Sequence, residues 1–283
     1  MTKEEIYEKL DTEVKLRGLS PRTCKTYKNS IGLFLDWADK PYEDLEEIDF
    51  RNYLIYLVNR GDLSTNTINM YNASIRFLLE VILEKNINYR RTARLRKVFT
   101  LPNVWNQETI ERFFSVIDDP RDRAIFLNIY GSGLRVSEIV NLKIQDIDSK
   151  SMRLHIRHAK GNKDRYTILS KRGLLALRQY WKVYRPMNVA NYLFPGKSVN
   201  GNFSANSVEI LFRQYKKTAG ISEPGTVHTL RHSFAAHALE NNVDVLCIKQ
   251  LLGHSCFEST NVYLHVSKTK VYQTPSPADR LNQ

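Results

Sequence analysis

Residues 142–169 read LKIQDIDSKSMRLHIRHAKGNKDRYTIL. On either side of this stretch apolar residues recur every three or four positions; inside it the period drops to two. Leu142 to Ile147, Met152 to His158 and Tyr166 to Leu169 therefore predict three short strands, the last two joined by a tight polar loop from Lys160 to Asp164. A pattern this short, set between helical segments, predicts a mainly α chain with one small antiparallel β-sheet.

Upstream, Thr2-x-x-Glu5 is a capping box, and Ile6, Leu10, Val14 and Leu16 form the apolar stripe of a first helix running to about Gly18. Ser20-Pro21 opens a second, with Tyr27, Ile31, Phe34, Leu35 and Ala38 as its stripe. The segments 50–59 and 64–83 repeat the pattern, so residues 1–88 read as a small helical bundle. Residues 89–103 follow as a basic linker, in which five of the eight residues from Arg90 to Lys97 are Arg or Lys. That run is either a solvated connector or a strap over a phosphate backbone. From Gln107 to Tyr130 the spacing predicts one helix, broken by Gly131-Ser132-Gly133. Beyond the sheet, segments 173–184, 204–219, 229–240 and 244–252 return to helix, the last capped by Asp244 and stopped by Gly253. Residues 104–283 form the second domain.

The chain has 283 residues, 42 Lys and Arg against 30 Asp and Glu, and a net charge of +12. Such a balance favours a polyanionic partner such as nucleic acid, or is a solvated basic surface. No run approaches the roughly 18 apolar residues of a membrane span, and the three cysteines are an odd number without a CxxC pair. A reducing cytoplasm is the expected location.

His228 and Arg231 lie three apart in the first turn of a helix, beside its free N–H groups, where an anion sits well. His232 invites a zinc reading, but no Glu stands between it and His228 as HExxH requires, and Arg231 repels a cation. No metal is expected, and His237 reads as structural. Arg135, just after the glycine break, offers a planar fork for phosphate oxygens or a salt bridge to Glu138.

Four boxes, GSGLRVSEIVNLKIQDID, AKGNKDR, HTLRHSFAAHALE and IKQLLGHSCFESTNVYLHV, together resemble the successive signatures of the tyrosine recombinase (phage-integrase-like, Xer-type) family. The resemblance implies an N-terminal core-binding, SAM-like helical bundle and a C-terminal mixed α/β catalytic domain. It implies a site-specific DNA recombinase working through a covalent 3′-phosphotyrosyl intermediate, for integration, excision, transposition or dimer resolution. It assigns Arg135 and Arg231 to the scissile phosphate, Tyr263 to nucleophilic attack, Lys160 to the leaving group, His228 to proton transfer and His254 to a phosphate hydrogen bond. Glu138 matches a carboxylate that buttresses the Arg135 turn. Arg90, Arg91, Arg94, Arg96 and Lys97, with Lys163 and Arg165, are the expected DNA contacts. Double-stranded DNA, a homo-tetramer on two DNA sites and a partner recombinase or accessory protein are the implied associations; no cofactor is. Relatives that only relax supercoils, and a DNA binder that has lost cleavage, are the alternatives.

Overall fold

The computed structural model describes residues 1–88, 90–96, 101–159, 163–186, 191–197, 201–254, 260, 262 and 263, the side chains of His158, Ala159 and Lys163 excepted. The chain divides into two compact units, Met1–Thr100 and Leu101–Gln283.

In the first unit, α1 (Lys3–Leu16), α2 (Pro21–Ala38), α3 (Glu47–Arg60) and α4 (Thr65–Phe77) are followed by a π-helical turn, Leu78–Ile82. The start signals act as the sequence predicts: the Thr2–Glu5 capping box opens α1, and Ser20 and Ser64 cap α2 and α4. Ile6, Leu10, Phe34, Phe50, Ile75 and Leu78 meet in one core, each contributing about 1.5–3 kcal/mol of apolar burial. Leu16 departs from its expected stripe and is 76% exposed. It stands two residues beyond Val14, about 200° round the helix, and so points away from the face that Ile6, Leu10 and Val14 share.

The basic run after this bundle is pinned to α4 as far as Leu95. Asn69 accepts from the Leu95 N–H and donates to its carbonyl, both at 2.9 Å. Asn72 Nδ2 and Arg76 Nη2 donate to the Thr92 carbonyl at 2.9 and 2.7 Å.

In the second unit, α5 (Gln107–Ser115), α6 (Pro120–Ser132) and α7 (Val136–Val140) precede β1 (Ile147–Asp148), β2 (Arg153–Ala159) and β3 (Lys163–Ile168). Four helices follow, α8 (Lys171–Tyr184), α9 (Ala205–Thr218), α10 (Val227–Glu240) and α11 (Val245–Leu252). The single helix expected over 107–130 is two. Asp119 accepts from the N–H groups of Arg121 and Asp122 at 2.9 and 3.0 Å, and Pro120 takes the first helical position, so the chain restarts there.

The sheet is antiparallel with order β1-β2-β3, and its register pairs Leu154 with Ile147 and Arg153 with Ile168. Leu154 and Ile156 face the core. The first expected strand is mostly a turn: Lys143 makes a single antiparallel bridge to Tyr192, Ile144–Asp146 is a 3-10 helix, and Ile147–Asp148 pairs with β2. Asp146 accepts from the Lys143 N–H at 3.0 Å and from Arg157 Nε at 2.7 Å, which curls the run before it extends.

Trp105, Phe113, Phe126 and Phe212 centre the larger core, with Trp105 stacked on Phe212 at 5.4 Å. Trp105 N–H donates to Ser233 Oγ at 2.9 Å, tying that core to α10. A second cluster, Phe234, Ala235, Leu239, Ile248, Leu252 and Tyr263, lies between α10 and α11. Among the described residues no helix is long and apolar enough to cross a membrane.

Candidate active site

Two glycine turns bring the site together. Gly133 ends α6 and Gly253 ends α11, both left-handed at φ +64° and +63°. A side chain at Gly133 would meet the Phe234 ring, and one at Gly253 the Arg165 stem. Glycine is needed here for conformation and for space together.

Between these turns lies Glu138, in the first turn of α7 and 8% exposed. It binds three guanidiniums. Arg135 donates its backbone N–H at 2.8 Å and Nη1 at 2.7 Å. Arg165, from β3, donates Nη1 and Nη2 at 2.7 and 2.9 Å. Arg231 Nη1 stands 3.5 Å from Oε2. Burial disfavours the Glu138 charge, but the Arg165 bonds, the Arg135 N–H and the positive field bring its pKa down to about 2.

Arg231 is 3% exposed, on α10. Its Nη1 donates to the Gly133 carbonyl at 2.7 Å and its Nη2 to the Leu252 carbonyl at 2.6 Å, so one side chain fastens both turns. Burial and the neighbouring Arg135 lower its pKa to about 9, against the pull of Glu138. It remains a cation at neutral pH. Arg135 is more open, and its Nη2 reaches the Gly253 carbonyl at 3.4 Å.

Tyr263 is 2% exposed. Its hydroxyl is 2.8 Å from His232 Nδ1, and its ring lies nearly parallel to His254, with centroids 6.4 Å apart at 13°. His254 Nδ1 is 2.9 Å from Thr260 Oγ1. Burial raises the Tyr263 pKa, opposed by Arg231 and Arg135. Burial lowers His232 to about 4, with help from His228 and Arg231, and lowers His254 to about 3, with help from Arg231 and Arg135. Both imidazoles are neutral at pH 7.

Of the residues singled out by sequence, Arg135, Arg231, His254 and Tyr263 gather around these turns. His228 is exposed in the first turn of α10, its pKa lowered by desolvation and by Arg231 and Arg135. Lys160 and Lys97 lie outside the described residues, as does the Lys163 side chain. Arg165 does not face outward: its Nε donates to the Leu251 carbonyl at 2.9 Å, and its other donors hold Glu138. Arg90, Arg94 and Arg96 are exposed in the first unit, and Arg91 is exposed 3.9 Å from Glu47. His237 meets Tyr130, Nδ1 to OH at 2.9 Å, away from the cluster.

Sequence reasoning missed His232, considered only as a metal ligand, and the inward role of Arg165. Nothing in the spacing of His232 and Tyr263, 31 residues apart, announces their contact.

The profile of the phage integrase family matches residues 103–270, and that of the phage integrase N-terminal SAM-like domain matches residues 6–89. A Sinorhizobium fredii protein named as an integrase/recombinase is 34% identical over 98% of this chain and 89% of its own length. Tyrosine recombinase XerA of Pyrococcus horikoshii is 31% identical over 93% of this chain and 90% of its own. The crystal structure of XerA recombinase superposes with a TM-score of 0.56 at 25% identity, over 99% of this chain and 100% of that one. A lambda integrase dimer bound to a core site has the same fold, with a TM-score of 0.72 at 17% identity over 95% and 98% of the chains. The chain belongs to the phage integrase family of tyrosine recombinases, enzymes that cut and rejoin DNA at specific sites.

Proposed function

We propose that this chain exchanges strands between two duplex sites as a homo-tetramer, through a 3′-phosphotyrosyl intermediate on Tyr263. The observation that carries the reading is the convergence of two guanidiniums, Arg135 and Arg231, on Glu138, beside the His254 ring that stacks on Tyr263.

Attack on a phosphodiester gathers negative charge on the non-bridging oxygens, and fixed donors aimed at them stabilise it. A guanidinium has five N–H groups. Glu138 and three carbonyls engage some of those on Arg231 and Arg135, which orients the planes and leaves donors for phosphate. The Tyr263 oxygen bonds phosphorus, the bond to the 5′ oxygen breaks, and that oxygen takes a proton from Lys160. A 5′ hydroxyl from another strand reverses the step, so the phosphotyrosine conserves the bond energy. His254, its Nδ1 engaged by Thr260, presents Nε2 to the phosphate, and His228 assists proton transfer.

The exposed Arg90, Arg91, Arg94 and Arg96, with Lys97 and Lys163, neutralise backbone phosphates. The duplex substrate puts the work in the cytoplasm.

The test uses supercoiled plasmid carrying the DNA that flanks the chain's own gene, incubated in EDTA and denatured. Protein joined to a 3′ DNA end, absent with Tyr263→Phe, is the expected result, and mapping the break gives the site. Adduct that persists in Tyr263→Phe would overturn the assignment.

A further inference from the structure

The phenol of Tyr263 lies between two imidazoles that meet it differently. His254 lies against its ring and has Nδ1 on Thr260; His232 faces the hydroxyl itself, Nδ1 to oxygen 2.8 Å. His232 follows Arg231 directly on α10, so the side chain that fastens both glycine turns also fixes the backbone from which His232 projects. Among the described residues His232 is the hydrogen-bond partner of that hydroxyl.

We propose that His232 is a catalytic residue, whose Nδ1 orients the Tyr263 hydroxyl and takes its proton as the oxygen–phosphorus bond forms. The inference rests on Tyr263 being the nucleophile. In the step, the phenolic oxygen bonds phosphorus and its proton passes to His232 Nδ1. The bond from phosphorus to the 5′ oxygen breaks, and that oxygen leaves with the Lys160 proton. On rejoining, His232 returns its proton to the departing phenolic oxygen.

A neutral imidazole carrying its proton on Nε2 accepts at Nδ1. Burial keeps His232 neutral in the resting site. A base this weak does not ionise a free phenol, but it need not do so. The phenolic proton becomes strongly acidic only as the oxygen commits electrons to phosphorus, and the negative phosphate then beside the ring stabilises imidazolium. The Arg231 and Arg135 field stabilises the same phenolate.

The test measures single-turnover adduct formation by the full chain on a nicked duplex of the mapped site. The duplex is made with oxygen, or with sulfur, at the bridging 5′ position. A thiolate leaves without an acid, so sulfur rescues a missing acid and not a missing base. His232→Ala is expected to slow adduct formation about 100-fold or more on both duplexes, with DNA affinity within about twofold by gel shift. Lys160→Ala, slow on oxygen, recovers on sulfur. His232→Asn sets its carbonyl oxygen where Nδ1 stands, whereas His232→Gln sets its own where Nε2 stands; the Asn variant is expected to be faster. This pair decides the matter if His232→Ala fails to fold. Near-normal rates in His232→Ala, its recovery on sulfur, or equal rates for Asn and Gln would each overturn the proposal. Adduct from Tyr263→Phe would instead remove the premise, and is read separately.

Discussion

Glu138 and Arg165 form a two-pronged pair, Nη1 to Oε1 at 2.7 Å and Nη2 to Oε2 at 2.9 Å, joining β3 to the first turn of α7. Because the same carboxylate takes Arg135 and faces Arg231, one buried negative charge sets the positions of three positive ones. The guanidiniums proposed to clamp phosphate are thus built into one network around a buried carboxylate.

Glu138→Gln keeps the shape and removes the charge. Three guanidiniums then lack their shared counter-charge, and a loss of about 3–5 kcal/mol is expected, as when one partner of a buried pair is deleted. Urea unfolding checks it; a loss below about 1 kcal/mol would show that the cluster is solvated.

The same group gives a pH dependence. Its pKa falls from 4.5 to about 2 on folding, so its stabilisation is complete above about 4.5 and fades as pH drops towards 2. Between about pH 5 and pH 3 the melting temperature of the wild type should fall more steeply than that of Glu138→Gln. Parallel curves would contradict the depressed pKa.

Arg135→Ala and Arg231→Ala should both slow adduct formation by about 100- to 1,000-fold, the cost of one charge-stabilising donor, with DNA binding retained. They should differ in stability. Arg231 fastens the Gly133 and Leu252 carbonyls in the interior, so its loss leaves buried acceptors unpaired and lowers the melting temperature. Arg135, more open, should lower it less. Equal melting temperatures would refute the structural half of the Arg231 role.

Gly133→Ala combines a left-handed φ with a Cβ 2.6 Å from the Phe234 ring, and should cost about 2–4 kcal/mol from strain and overpacking. Gly61, at φ +71° with no atom within 4 Å, isolates the conformational part, and Gly61→Ala should cost about 1–2 kcal/mol. Similar losses at both positions would mean that the Phe234 contact yields freely.

Replacing Arg91, Arg94 and Arg96 by Ala should reduce the slope of log affinity against log salt by about 2.7, at about 0.9 per phosphate contact. The weakening should be uniform across DNA sequences. An unchanged slope would leave the segment a connector.

The helices were legible because their ends carry local chemistry: Thr2 with Glu5, Ser20 with Pro21, and Asp244 with Gly253 all act within one turn of the residues they cap. The four boxes that mark the family lie in linear order, so Arg135, His228, Arg231, His254 and Tyr263 are read off the sequence as candidates. The misreadings came where one side chain outweighed the period. Asp119 with Pro120 split a helix whose apolar spacing runs on through the break, and Asp146 curled a run whose composition favours a strand.

Periodicity and motif order, which act along the chain, were enough to determine a mainly helical protein, its small sheet and its family. The tertiary structure alone decided which polar groups meet. Glu138 gathers arginines from 3, 27 and 93 residues away, and His232 reaches Tyr263 across 31. Such pairings have no sequence period. They arise because the two glycine turns bring distant segments into one interior where a buried charge must find its counter-charge, and a buried hydroxyl its hydrogen bond.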